Sequence, residues 1–264
     1  MRVVFLHIPK TAGQSVHAAL ESAFEPAAIC PARVNDQLRL LSIAELNRYQ
    51  VFSGHFDWCL LDCLKGPSYR FTILRDPMER ILSFYFFLRK QGEALSPAER
   101  AKPQHTGMRA AAEMTPDEYF LAGPPHLRNF LNDHYDNFYT YYFAGRTYRG
   151  RTGLVGLQNR GVFSREKLMD VARANLAELD RVFTVDEMPA VFETIGQLAM
   201  PGRSLPRSEF RNNVNDSLPV QSRVQRLREL GASEETMKCI ASWCEMDNEL
   251  YAHYSARHKQ PGAA

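Results

Sequence analysis

Hydrophobic and polar positions follow two periods along this chain, and the two alternate. Arg2 to Ile8 is a short apolar run rich in β-branched and aromatic residues, which predicts a buried strand. Gln14 to Phe24 then places Val16, Ala19, Leu20 and Phe24 at helical spacing. Strand-like runs return at Gln50 to Ser53, which ends at Gly54-His55, at Tyr69 to Leu74 and at Arg181 to Val185. Between them Ser42 and Glu45 form a capping box for a helix to about Tyr49. Asp76 as N-cap, Pro77 at the first helical position and Glu79 as capping-box partner start a longer helix through ILSFYFFLRK, with Ile81, Tyr85 and Leu88 directed at a sheet. Thr115 to Glu118 opens another helix. Ser164 to Leu179 is amphipathic through Leu168, Val171, Ala172, Asn175, Leu176 and Leu179, and Pro189–Met200, Val220–Leu230 and Ser233–His258 complete the helices.

Strands alternating with helices predict a three-layer α/β fold with a mainly parallel sheet. Residues 1–264 form one domain, with a helical insertion over about 91–160. Glu25 to Asn35 predicts a loop crossing the top of the sheet, and Pro201 to Pro219 a polar loop carrying Arg203, Arg207 and Arg211 that either closes on a ligand or is a solvated connection. The segment NDHYDNFYTYYF is unusually aromatic; it supplies either a flat stacking surface for sugars or the packed core of the helical part.

Composition narrows the partners. With 45% hydrophobic residues in 264 the chain can bury a large core, and 32 basic against 30 acidic residues leave a net charge of +2, too little for a general nucleic-acid footprint. Any anion site is therefore local. No apolar run approaches the roughly 18 residues of a membrane span, and strand-like sequence from the second residue leads us to expect a cytoplasmic protein without a signal peptide. The five cysteines are expected to be reduced thiols, because Cys59/Cys63 and Cys239/Cys244 lack the spacing and histidines of a zinc site. No metal is required.

Candidate chemistry collects at three places. Pro9-Lys10-Thr11-Ala12-Gly13 is a tight turn from strand to helix, where Gly13 admits close approach, the first helical amides are anion donors and Lys10 adds a charge; an ordinary turn with a solvated lysine has the same pattern. His55 stands at the carboxyl end of a strand, the edge at which open parallel sheets bind ligands. Arg75 is at another strand tip and Ser83 two turns into the following helix; the plain alternatives are a salt bridge from Arg75 to Asp76 or Glu79 and close helix packing at Ser83. His7 is expected to brace the turn.

HIPKTAGQS after the first strand, with RDPMERILSFY after a later one, resembles the sulfotransferases that use 3'-phosphoadenosine 5'-phosphosulfate (PAPS), and the PKTAG form resembles the branch containing heparan sulfate 2-O-sulfotransferase. The resemblance implies a P-loop-like fold in which Lys10, Thr11, Ala12, Gly13, Gln14 and Ser15 hold the 5'-phosphosulfate and Arg75 and Ser83 the 3'-phosphate. GHF at Gly54 to Phe56 resembles the segment with the branch's catalytic histidine, which falls on His55, and Lys10 is then the second catalytic residue. Weaker likenesses follow at Asn137–Thr140 with Gly145, at Phe183–Glu187 and at Asp247–Tyr251. The family usually has Thr where Gln14 stands, and Ser53 occupies a position that is often a second histidine in the 2-O-sulfotransferase segment. A uronic acid acceptor calls for a dense basic cleft, for which Arg33, Arg109, Arg128 and Arg146 are scattered candidates. The implied reaction is sulfuryl transfer from PAPS to a hydroxyl of a glycan or glycolipid, with the insertion over the acceptor side. The other readings are a P-loop-like kinase, weakened by a lysine that precedes the glycine, and a non-catalytic glycan- or nucleotide-binding module.

Overall fold

The computed structural model describes residues 1–199 and 220–256. In chain order, β1 (Arg2–Leu6) leads to α1 (Gly13–Ala23), then the short helices α2 (Asn35–Leu38) and α3 (Ile43–Leu46), β2 (Val51–Gly54) and β3 (Ser68–Leu74). The long α4 (Pro77–Ala94) is followed by α5 (Pro97–Arg100), α6 (Thr106–Glu113), α7 (Pro125–His134), α8 (Phe138–Gly145), α9 (Arg151–Asn159) and α10 (Arg165–Ala177). β4 (Arg181–Thr184), α11 (Met188–Ala199), α12 (Val220–Glu229), α13 (Glu234–Ser242) and α14 (Glu245–Ala256) finish the order. The 201–219 loop with Arg203, Arg207 and Arg211, and the residues after Ala256, lie outside the described residues.

The four strands pair in parallel in the order β2-β1-β3-β4, with Leu6 opposite Gly54 on one side and Thr72 on the other. Both faces are covered, which is why the strands read as unbroken apolar runs. Val3, Phe5, Phe71, Ile73 and Phe183 bury against Val16 and Leu20 of α1 and Val191 and Ile195 of α11. On the opposite face Val4, Leu6, Phe52 and Leu74 meet Tyr142 and Phe143 of α8, Leu168 and Leu176 of α10 and Leu250 of α14. Three layers result. The chain leaves β1 toward β2 and then returns past it to β3, so the strand order reverses at β1 and opens a crevice at the carboxyl ends of β1 and β3.

Several local expectations are corrected. Ile81, Tyr85 and Leu88 do not face the sheet: they join a third core with Ala111 of α6, Leu127 and Leu131 of α7, Leu227 of α12 and Ile240 of α13. Helical periodicity specifies an apolar face but not its partner, and the helices after Leu95 supply a second one. The aromatic run is core and not a stacking surface, since Phe138, Tyr139, Tyr141, Tyr142 and Phe143 are all buried and the Tyr142 hydroxyl donates to the Phe56 carbonyl at 2.9 Å. The Ser42–Glu45 capping box is present, but its helix ends at Leu46. Asp76 accepts from the Glu79 amide at 2.9 Å, whereas the Glu79 side chain turns to Arg75 instead of closing a box. The last expected helix is two, broken at Trp243-Cys244.

A reciprocal cap locks α8 to α14. Asn137, in the left-handed region with φ 46°, accepts through Oδ1 from the Met246 amide at 2.8 Å. Asp247 returns the arrangement, accepting from the Tyr139 amide at 3.0 Å and from the Thr140 amide and hydroxyl, each at 2.9 Å. Asp247 and Thr140 are both fully buried. Asp247→Ala therefore strands two buried amides and is expected to lower the unfolding free energy by about 2–4 kcal/mol, read from urea denaturation. A loss of under about 0.5 kcal/mol, the size of an ordinary surface change, overturns the cap.

Candidate active site

The turn after β1 is strained and tied down. Lys10 and Ala12 have φ of 69° and 65°, left-handed conformations that cost a residue with a Cβ about 1–2 kcal/mol each. Two bonds hold the curl: the Thr11 hydroxyl donates to the Ile8 carbonyl at 2.8 Å, and Arg75 Nη1 donates to the Lys10 carbonyl at 3.2 Å. Thr11 is fully buried, so its side chain faces inward and only its main chain is placed to meet a ligand. Ala12, Gly13, Gln14 and Ser15 line a cleft at the head of α1, where the first amides of a helix carry partial positive charge. Gly13 is not left-handed; it is glycine because a methyl there would overlap the His7 imidazole. Lys10 extends into the same cleft with Nζ 4.3 Å from the centre of the Phe87 ring.

His55 opens onto that cleft from the end of β2. Its amide donates to the Arg33 carbonyl at 2.8 Å, part of a bridge between Val34 and His55 by which the loop before α2 joins the sheet edge. Its ring lies 2.7 Å through Nδ1 from the His7 carbonyl. A carbonyl only accepts, so Nδ1 carries the proton and a neutral ring has its lone pair on Nε2. Burial holds the imidazole below its ordinary value; the bond to His7 opposes this and the nearby Arg33 charge reinforces it. Arg33 itself is fixed by donating to the Ser53 carbonyl at 2.6 Å.

At the tip of β3, Arg75 is bracketed by Tyr139, whose hydroxyl accepts from the Arg75 amide at 3.1 Å and donates to the Arg75 carbonyl at 2.9 Å. Its guanidinium lines the cleft and pairs with Glu79, so the anticipated salt bridge and the cleft position coexist. Glu79 is 5% exposed and also pairs with Arg223 of α12, which is 2% exposed. Burial, and then the charges of Arg75 and Arg226, pull the Arg223 guanidinium down to about 10, still cationic at neutral pH. Ser83 does not line the cleft: one turn beyond Glu79 on the same helical face, it is fully buried and its hydroxyl lacks a partner among the described residues.

The cleft encloses about 1160 Å³. Beside the residues above it takes Phe84, Phe86, Phe87 and Lys90 from α4, Arg39 and Asp57, which pair at 3.0 Å, and His134, Tyr148 and Arg149. Burial, then Arg149, Arg80 and His55, hold His134 neutral at about 3. Of the scattered arginines named from sequence, Arg109 and Arg128 donate to main-chain carbonyls and Arg146 pairs with Asp62 and Glu178, so none of these three lines the cleft. Lys10, Arg39, Arg75, Lys90 and Arg149 supply its cations instead. Sequence reading missed Arg39, Arg149 and Arg223. Arg149 follows Tyr148 in a polar turn with no distinguishing pattern, and Arg223 reaches Glu79 only through helix packing.

The strain at Ala12 has a measurable consequence. Ala12→Gly is expected to raise stability by about 0.5–1 kcal/mol in thermal unfolding, because a left-handed conformation is free to glycine; a loss of stability would mean the turn is not under this strain.

No helix among the described residues is long and apolar enough to cross a membrane. Comparison with curated proteins gave no match. A family model described as the sulfotransferase family matches residues 1–153, a stretch that holds the strained turn, His55, Arg75 and Ser83. With more than half of its length matched, and with a mixed α/β architecture built on a four-stranded parallel sheet, the chain belongs to the sulfotransferase family.

Proposed function

We propose that the chain moves a sulfuryl group from PAPS to a hydroxyl of a carbohydrate or glycolipid, with His55 as general base and Lys10 as the cation at the departing oxygen. One observation carries the reading: His55, whose Nδ1 is taken up by the His7 carbonyl, lines the same cleft as Lys10, Ala12–Ser15 and Arg75. The donor set suits a nucleotide with an anionic group at each end of its ribose. The turn is P-loop-like in placing amides and Lys10 at a helix head, fit for a phosphosulfate, while Arg75 suits a 3'-phosphate beside the cationic Arg223, and the Ser83 hydroxyl, buried behind Glu79 with no partner among the described residues, meets that phosphate once the nucleotide is seated. PAPS, when bound, supplies the activated sulfuryl group.

The protein's own part is positioning and charge. His55 takes the proton of the attacking hydroxyl on Nε2 while Nδ1–H stays on the His7 carbonyl. Lys10, resting over Phe87, brings an ammonium to charge that grows only as the S–O bond breaks. Tyr148 and Phe84 give the cleft aromatic faces for a sugar ring, in place of the core aromatics around Tyr141, and Arg149 gives it a charge for a polar substituent. The resemblance to the heparan sulfate 2-O-sulfotransferase branch favours a carbohydrate. Five unpaired thiols suit the cytoplasm, which we propose as the location.

An acceptor screen with radiolabelled PAPS, run over polysaccharides, glycolipids, phenols and small alcohols, tests the reaction; sulfate transfer to sugars is the expected result. Preferential binding of ATP with magnesium over 3'-phosphoadenosine 5'-phosphate, without sulfate transfer, makes the chain a kinase instead. On an accepted sugar, His55→Ala is expected to lose about a hundred- to ten-thousandfold in turnover while binding 3'-phosphoadenosine 5'-phosphate as wild type does. Because the folded-state ring titrates below its ordinary value of about 6.5, the base form persists into mild acid, and turnover is expected to fall only below that pH. An acid limb at or above about 6.5, or near-wild-type turnover of His55→Ala, removes His55 from the role.

The anion contacts separate in the same assays. Arg75→Ala and Ser83→Ala are each expected to weaken 3'-phosphoadenosine 5'-phosphate in calorimetry by about 1.5–3 kcal/mol. Lys10→Ala is expected to cut turnover by a larger factor than affinity. Unchanged affinity in both of the first two variants would leave that region a helix start, and an affinity loss that accounts for all of the Lys10 effect would make Lys10 an anchor.

A further inference from the structure

His7, one residue past β1, uses its main chain twice at the sheet's edge. Its N–H donates to the Gly54 carbonyl at 3.0 Å, and its carbonyl holds His55 Nδ1 at 2.7 Å. The ring is fixed as firmly. It stacks on His55 with centroids 4.2 Å apart and planes 26° apart, and on Phe5 at 5.4 Å and 19°. At Gly13 its Nε2 side fills the space that a methyl would need. The imidazole is thus a flat plate between the histidine at the end of β2 and the first residue of the helix that heads the anion turn.

We propose that His7 is a positioning residue, whose ring sets both the plane of His55 and the spacing between His55 and the head of α1, so that the acceptor's base and the donor's cradle keep one register. The role rests on the reading of His55 as base. No proton exchange is asked of His7: burial first, then His55, Arg33, His17 and Lys10, keep its ring neutral far below the ordinary range. What the slot uses is a planar, uncharged body that excludes water.

His55 has ionisable neighbours on every side. His7 and Lys10 come from the β1–α1 segment, Arg33 from the loop before α2, His134 from α7, and Tyr148 and Arg149 from the turn after α8, while Asp57 is engaged by Arg39. Of these Lys10, Arg33 and Arg149 are cationic and His7, His134 and Tyr148 neutral, so a proton on His55 is unwelcome. Removing the His7 ring admits water beside His55 and relieves the burial that holds its pKa down, and it lets the ring rotate about the Nδ1–H bond.

The test follows His55 by NMR titration in the full chain, together with pH–rate profiles on the accepted sugar, in three variants. His7→Ala is expected to move the His55 pKa upward, toward about 6.5, and to carry the acid limb of turnover with it. Turnover is expected to fall about ten- to a hundredfold while affinity for 3'-phosphoadenosine 5'-phosphate changes far less. His7→Phe keeps a flat apolar plate and is expected to restore most of the turnover and the low pKa. Gly13→Ala, which displaces the plate from its other side, is expected to move His55 in the same direction as His7→Ala. An unmoved His55 titration in His7→Ala, or a His7→Phe variant as impaired as His7→Ala, overturns the proposal; the second result would mean that the His7 nitrogens themselves are used. The titration needs no turnover, so it also separates the two ideas: an active His55→Ala with a His55 pKa that still follows residue 7 would discard the base and keep the plate.

Discussion

Parallel pairing of β1 on both of its edges is the constraint from which the site follows. With β2 on one side and β3 on the other, and Leu6 level with both Gly54 and Thr72, β1 and β2 end together and β3 runs two residues further, to Leu74. The next residues of each are the anion turn, His55 and Arg75. Three groups far apart in sequence therefore meet without any long side chain having to reach across, and each is set by main-chain bonds: His7 N–H to Gly54, His55 N–H to Arg33, and Arg75 between the two bonds of Tyr139. Side chains placed by the sheet lose little further freedom on meeting a ligand, which is what positioning catalysis asks of a scaffold.

The charge arrangement behind the cleft has the opposite character. Glu79 and Arg223 are almost wholly buried, and taking such ions out of water costs several kcal/mol per ion unless partners recover it. Glu79 recovers part by holding Arg75 and Arg223 together. Strain in the turn at Lys10 and Ala12 adds to this, so the folded chain holds conformational and desolvation cost beside one cleft.

Much of this was legible where local chemistry decides the outcome. The apolar runs at residues 2–8 and 69–74, the Asp76-Pro77 start and the Ser42–Glu45 box each name a structure through their own neighbours, and each appears within a few residues. Legibility failed where a partner had to be chosen. The stripe Ile81, Tyr85 and Leu88 is apolar whichever core it joins, and the tyrosines around Tyr141 look the same on a surface as inside. Thr11 and Ser83 stand within motifs whose side-chain directions spacing cannot give, and one faces Ile8 while the other is enclosed in helix packing. Arg223 is an arginine in a basic, low-contrast helix, and only tertiary packing brings it to Glu79.

The reciprocal caps between α8 and α14 also bear on how the chain acquires its site during synthesis. Tyr139 brackets Arg75 through its hydroxyl, yet its own amide is held by Asp247, 108 residues later. A ribosome adding about 5–20 residues per second needs on the order of 5–20 s to cover that distance. Through that interval the stretch carrying the anion turn, His55 and Arg75 is already made while the carboxylate that secures Tyr139 is not. Until Asp247 is made the bracket on the tip of β3 is not secured, and a stall or truncation between the two would release a polypeptide that carries the turn after β1, His55 and Arg75 with an unfinished cleft.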